Sequence, residues 1–255
     1  MPRLALACEY DGSEFVGWQT QANGRAVQAV LTEAISAVAA EPVKVHGAGR
    51  TDAGVHAENQ VAHFDTQSAR TTRQWLLGIN SNLPGDVSLR WIQEVPASFD
   101  ARRSTLWREY RYTIMSQPTR PARERRFVWW LRHGLDCGAM TAAASGWLGE
   151  YDFSAFRAAH CQSTTPMRRM IRIRVAQLPD RVELTFRANA FLYHMVRNLV
   201  GAMVSIGRGD VPVEWGRELL ASGDRRKGAM TAPAQGLTLA VVAYAEKFGL
   251  PRAEA

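Results

Sequence analysis

The stretch Gly47-Ala-Gly-Arg-Thr-Asp-Ala-Gly-Val-His56 joins two segments that read as strands, residues 43–48 before it and 60–66 after it. In the second of these, Val61 and His63 face one way and Ala62 and Phe64 the other. A loop held between two strands has a rigid frame on which catalytic groups can be fixed. Three glycines in eight residues admit positive φ and let another molecule approach closely. Into this backbone the sequence sets one cation, Arg50, one hydroxyl, Thr51, and one carboxylate, Asp52. On extended backbone, side chains two apart share a face, so Arg50 and Asp52 stand together and the guanidinium keeps the carboxylate ionised even without water. Two readings compete on spacing alone. One is a surface turn in which Asp52 caps the backbone; the other is a site in which Asp52 acts as nucleophile or base.

Upstream, residues 4–10 read as a strand ended by Asp11-Gly12, and Asn23-Gly24 as a turn. Val27, Val30, Leu31, Ala34, Ile35 and Val38 then recur at three- and four-residue steps, which is one buried helical face. Downstream, residues 73–80 read as a helix, Leu83-Pro-Gly-Asp86 as a turn and 87–95 as a strand, so the first hundred residues run β-α-β-β-α-β. Residues 107–115 alternate as a strand, and the Pro- and Arg-rich 118–126 reads as a linker. Beyond it come a strand at 127–131, a helix at 140–148, and a strand pair at 170–177 and 182–188 around Pro179-Asp180. Helices at 194–206 and 213–221 and a closing strand at 237–244 complete the chain. The pattern predicts an α+β fold of two halves, 1–104 and 105–255, whose sheets join with a cleft between them.

At 255 residues, 46% hydrophobic and 22% charged, the chain has the composition of a globular protein with a substantial core. No run of eighteen apolar residues is present, and the N-terminus reads as a strand and not as a secretory signal. Cys8, Cys137 and Cys161 are odd in number and far apart, which points to reduced thiols in the cytoplasm. The net charge is +7, carried by 28 Arg against 3 Lys. An arginine-rich genome accounts for the ratio but not for the placement. Between Arg102 and Arg132 lie nine arginines against two acids, Glu109 and Glu124, a local excess as large as that of the entire chain. Guanidinium forks suit phosphate oxygens, so a polyanion is the expected partner. Pro118 and Pro121 interrupt the block and it has no amphipathic helical period, which favours nucleic acid over a membrane surface.

Within helix 194–206, Met195, Val196, Leu199, Val200 and Met203 form the buried stripe, and His194, Arg197 and Gly201 fall together beside it. An arginine so placed commonly snorkels. Here Gly201 leaves space one turn beyond, which makes Arg197 a candidate to pair with Asp52. Tyr110 and Tyr112 share a strand face within the arginine block, as in platforms for unpaired bases, or as cross-strand packing. His46, His56 and His63 lack metal-ligand spacing, and phosphate-cradling, dinucleotide and serine-nucleophile motifs are absent. The expectation is therefore no metal and no cofactor, with Asp52 as the strongest candidate for chemistry.

That loop resembles the signature of the tRNA pseudouridine synthase A family. So, in order along the chain, do Glu9-Tyr-Asp-Gly12 with Gly17-Trp-Gln19, the Asn80 to Asp86 segment, Arg108-x-Tyr-x-Tyr112, the run from Ala188 to Asn198, and Thr231 to Leu237. The resemblance covers essentially the whole chain. It implies an isomerase that converts uridine to pseudouridine in the tRNA anticodon stem-loop, by base flipping, cleavage of the C1′–N1 bond and rejoining through C5, without metal or cofactor. By motif position it implies Asp52 as the catalytic nucleophile, Tyr110 packing on the target base, Arg197 paired with the aspartate, Leu237 lining the base pocket, and Arg50 holding or replacing the flipped nucleotide. Arg102, Arg103, Arg123, Arg125 and Arg126 are candidate phosphate contacts. It further implies two ferredoxin-like halves sharing a central, mostly antiparallel sheet, and a homodimer. One departure is Glu109, where a basic or neutral residue is expected. A non-catalytic tRNA-binding module on the same scaffold would need the arginines and aromatics but not Asp52, and a metal-dependent nuclease would be silenced by EDTA.

Overall fold

The computed structural model describes residues 1–22 and 24–251. Asn23 and with it the expected Asn23-Gly24 turn lie outside the described residues. The elements run β1 (Arg3–Tyr10), α1 (Val27–Ala39), β2 (His46–Gly47), β3 (His56–Asp65), α2 (Thr72–Asn82), β4 (Val87–Val95) and β5 (Thr105–Ser116). There follow β6 (Trp129–Leu131), α3 (Cys137–Ser145), β7 (Gly149–Asp152), β8 (Met167–Gln177), β9 (Arg181–Ala188), α4 (Met195–Gly207), α5 (Trp215–Ser222) and β10 (Leu237–Tyr244). The fold is mixed α and β, with mostly antiparallel strands and five α-helices among the described residues. The chain divides into two compact units, Met1–Arg108 with Thr238–Ala255 and Glu109–Leu237.

In the first unit the strand order is β4-β1-β3-β10, with β2 on β3. β1 is antiparallel to both neighbours, Leu6 lying opposite Ala62 and Ile92, while β10 runs parallel to β3 with Thr238 opposite His56. The β-α-β-β-α-β order expected of the first hundred residues is the one observed. α1 buries Val27, Leu31, Ala34 and Ile35, the spacing that marked it as a helix. α2 begins at a reciprocal capping box of Thr71 and Gln74 and buries Trp75, whose ring meets Phe64 edge-on at 5.6 Å. The strand expected at 43–48 shrinks to His46–Gly47. Side chains explain this: Ser36 Oγ accepts the Val43 N–H and Gln28 Nε2 donates to the Val45 carbonyl, so these groups are satisfied without a ladder. β3 begins at His56, earlier than expected, and both of its faces are buried.

In the second unit the order is β5-β9-β8-β7, with the short β6 running parallel to β5. β8 and β9 pair antiparallel, Ile173 opposite Phe186 and Val175 opposite Leu184. The core gathers Trp147, Phe153, Phe156 and Phe186, and Trp147 Nε1 donates to the Gly216 carbonyl at 2.8 Å. α3 starts at Cys137, ahead of the expected 140, because the Asp136 side chain accepts the Ala139 N–H and caps it. β7 was not expected, since Gly149-Glu-Tyr-Asp152 has no apolar alternation. Segment 118–126 contains turns but no helix or strand, and belongs wholly to the second unit. α4 begins at Met195, His194 standing before it in the left-handed region with φ 59°. The helix is buried on almost every side, Asn198, Gly201 and Ala202 included, and so is a core helix, not a one-faced one. Among the described residues no helix is long and apolar enough to cross a membrane, and the three cysteines are free thiols.

Candidate active site

The loop of residues 47–56 lies in the first unit, and its polar groups are tied from several directions. The Ala48 N–H donates to the Val61 carbonyl at 2.7 Å, and Gln60 Nε2 donates to the Gly49 carbonyl at 2.8 Å. Thr51 is buried, its Oγ1 2.8 Å from Tyr10 Oη, and its carbonyl accepts the Trp18 N–H at 3.0 Å. Asp52 pairs with Gly17 in an isolated bridge, and the Val55 N–H closes onto the Asp52 carbonyl at 3.1 Å. At the end of the loop His56 Nδ1 accepts the Gly12 N–H at 3.0 Å and lies 3.2 Å from Asp11 Oδ1.

The alternation expected of extended backbone is present. Thr51 is buried, while Arg50 before it is exposed and Asp52 after it is half-buried. The glycines do not all serve an approaching molecule. A Cβ on Gly47 would come within 2.5 Å of the Trp18 ring, so this glycine admits a side chain of its own chain.

Tyr110, Arg197 and Leu237 belong to the second unit. Tyr110 is buried on β5 with its ring edge-on to Phe191 at 5.1 Å. Tyr112, two residues on, is fully buried and donates its hydroxyl to the Pro233 carbonyl at 2.8 Å. It is core, not platform. Burial pushes the Tyr112 phenol up, opposed by the charge of Arg197. Arg197 is tied to the segment that crosses α4: its Nε donates to the Ala232 carbonyl at 2.7 Å, and the Ala232 N–H returns to the Arg197 carbonyl at 3.1 Å. That segment fills the space at Gly201, where a Cβ would lie 1.9 Å from the Met230 oxygen. The room read at Gly201 for a partner is thus taken by the chain itself. Asn198 completes the joint, accepting from Thr231 Oγ1 at 2.7 Å and from Arg225 at 3.0 Å. Leu237 is buried at the start of β10.

Glu109 is buried and ion-paired to Arg187 at 2.8 Å, which accounts for an acid in the basic block. Arg102 and Arg103 are exposed, their backbone N–H groups held by Asp100 Oδ1. Arg123, Arg125 and Arg126 are also exposed. Tyr10 and Gln60 were not among the residues singled out for chemistry. The trace in the sequence is a tyrosine closing a strand just before Asp11-Gly12.

The model of the family described as tRNA pseudouridine synthase matches residues 6–102 and 143–245. A tRNA pseudouridine synthase A from Methylococcus capsulatus is 49% identical over 250 residues, covering 98% of this chain and 92% of its own. The chain belongs to this family. A tRNA pseudouridine synthase A from Enterobacter is 48% identical, with 98% of this chain and 93% of its own covered, and one from Pseudomonas aeruginosa is 47% identical, with 98% and 88% covered. Among solved structures, one described as a Cbf5-Nop10-Gar1 complex is 10% identical, with a TM-score of 0.36 over 93% of this chain and 57% of that one, a likeness too loose to bear on the fold. As a member of the tRNA pseudouridine synthase family, the protein is an isomerase that converts uridine to pseudouridine in tRNA.

Proposed function

We propose that Asp52 is the nucleophile of this isomerisation and that the uridines it converts lie in the anticodon stem-loop. The observation that supports this best is the carriage of Asp52: a half-buried carboxylate beside an exposed arginine, on a loop whose residues 49 and 51 are both hydrogen-bonded by buried side chains. A group held so firmly can meet a flipped base without loss of alignment. In this reading the C1′–N1 bond breaks with the carboxylate engaged, the uracil turns, C1′ bonds to C5, and the C5 proton is lost as N1 gains one.

Tyr110 packs on the extruded uracil, Arg197 neutralises the carboxylate, Leu237 lines the base pocket and Arg50 takes the place of the flipped nucleotide. Arg102, Arg103, Arg123, Arg125 and Arg126 contact phosphates, a role their exposure permits. The unit with the aspartate loop and the unit with Tyr110 and Arg197 both serve one tRNA, and the enzyme acts as a homodimer in the cytoplasm.

The test is to incubate the enzyme with unmodified tRNA transcripts and map pseudouridine along them. Product confined to the anticodon stem-loop is expected; product in another arm instead would overturn the assignment. Light scattering should give about twice the 28.3 kDa chain mass, and a monomer would remove the dimer from the account.

A further inference from the structure

We propose that Tyr10 is a positioning residue for the Asp52 carboxylate, acting through the Thr51 hydroxyl. The proposal rests on Asp52 being the reactive group and adds what holds it in place. Tyr10 is the last residue of β1, and the pairing of β1 with β3 slips just there: Cys8 lies opposite Gln60 but Tyr10 lies opposite Ala57. A slip of this kind re-aims a side chain, and it is common beside active sites. The Tyr10 ring is wedged against Phe15 at 6.5 Å and Trp18 at 6.3 Å, so its direction is set by packing. Packing needs only the ring, which phenylalanine would supply as well. The hydroxyl is used on Thr51 Oγ1, 2.8 Å away, in a bond between two residues that are 4% and 6% exposed.

Residue 51 is thus held twice by the same aromatic segment, through its side chain by Tyr10 and through its carbonyl by the Trp18 N–H. Gln60, fully buried, does the same for the Gly49 carbonyl. Residues 49 and 51 are therefore anchored inward, and the alternation of extended backbone turns 50 and 52 outward. A shift of Thr51 is passed directly to Asp52, the next residue along the chain. Because a displacement of an ångström at a reacting group can cost two orders of magnitude in rate, loss of the anchor acts on the chemical step and not on the grip on tRNA.

The experiment compares full-length Tyr10→Phe, Thr51→Val, Thr51→Ser and the Tyr10→Phe/Thr51→Val double variant with the parent enzyme. Each is measured in single turnover at saturating enzyme, with tRNA affinity and melting temperature alongside. Ile92→Val, a buried change in β4, serves as the stability control. Tyr10→Phe should slow the single-turnover rate about tenfold, a loss of about 1.4 kcal/mol in barrier. Its tRNA affinity should stay within about twofold and its melting temperature near that of the control. Thr51→Ser, which keeps the hydroxyl, should recover most of the rate lost in Thr51→Val. The double variant should be no slower than the slower single one, because both changes cut the same contact.

A parental rate in Tyr10→Phe, a Thr51→Ser as slow as Thr51→Val, losses that multiply in the double variant, or a loss seen only in affinity would each overturn the proposal. Should Thr51→Val fail to fold, Tyr10→Phe decides alone, since it removes a single oxygen. Asp52→Asn, run in parallel, separates the two readings. An active Asp52→Asn removes the nucleophile assignment whatever Tyr10 does, whereas an inert one beside an unimpaired Tyr10→Phe removes only the positioning role.

Discussion

The loop of the first unit and helix α4 of the second each carry a side chain assigned to the reaction, and they fix it by different means. In the loop the hold is on the backbone and its neighbours: Gly49 is anchored by Gln60 and Thr51 by Tyr10, and the Asp52 backbone is bridged to Gly17 and closed by the Val55 N–H. In α4, Arg197 is held directly: the segment through Met230 and Ala232 packs onto Gly201 and takes the guanidinium Nε on a carbonyl. In the proposed role the carboxylate must meet a reacting carbon at a set angle, and the ties on Thr51 and on the Asp52 backbone itself, its bridge to Gly17 and the Val55 N–H on its carbonyl, supply that. A cation that stabilises charge needs only proximity, and one tethered nitrogen is enough.

The contrast predicts that damage to the second unit appears mainly as lost stability, and damage to the loop mainly as lost rate. The largest stability effect is expected at Glu109. Glu109→Ala leaves the half-buried Arg187 without this carboxylate and should cost about 3 kcal/mol in urea unfolding. A loss below ~1 kcal/mol would mean the pair is idle.

The base of the loop has its own weakness, which is acid. His63, opposite His46 in the β2–β3 pair, is buried and its Nδ1 accepts the Ala101 N–H at 3.1 Å. Burial, aided by the Arg3 charge, pushes His63 from the ordinary 6.5 down to about 4. The folded state therefore holds the neutral ring while the unfolded chain takes up a proton between these values. Stability contributed by neutral His63 is full above pH 6.5 and is lost as pH falls toward about 4, on the order of 3 kcal/mol in all. Thermal melts across that window should show the slope, and His63→Gln should flatten it; an equal slope in the variant would assign it elsewhere.

Next in size is Gly201→Ala. The added Cβ meets a backbone oxygen that cannot swing away, so about 2 kcal/mol should be lost, read as a melting temperature lower by roughly 4–8 °C. An unchanged melting temperature would show that segment 230–232 yields easily. The smallest effect at moderate salt is expected from replacing Arg123, Arg125 and Arg126 together. Binding of tRNA should weaken a few-fold, and the slope of log affinity against log salt should fall by about 0.7–0.9 for each phosphate contact removed. An unchanged slope would show that these exposed side chains face solvent only.

Regular elements with strong local signals were legible from the residues. β4 (Val87–Val95) was read with its bounds, because Leu83-Pro-Gly-Asp86 punctuates an alternating run, and α1 followed from its apolar spacing. The strand at 43–48 was overread, since its polar groups are claimed by Gln28 and Ser36, side chains that only the folded helix delivers. The candidate site was legible as a loop with Arg50, Thr51 and Asp52, and their alternation held. What holds it was not legible. Tyr10 and Thr51 are 41 residues apart, and Glu109 and Arg187 are 78 apart, so neither bond has a local signature. The glycines misled for the same reason, as the room at Gly47 and Gly201 is filled by distant parts of the same chain.

In the proposed function the chemistry turns on Asp52, while Tyr10, Thr51 and Gln60 only hold its loop. The most direct measurement is the single-turnover yield of pseudouridine by Asp52→Asn at saturating enzyme, with tRNA affinity measured on the same preparation. The expected result is no detectable product, a rate lower by at least about a thousandfold (about 4 kcal/mol), with affinity within a few-fold of the parent. Product formed at the parental rate would contradict the account.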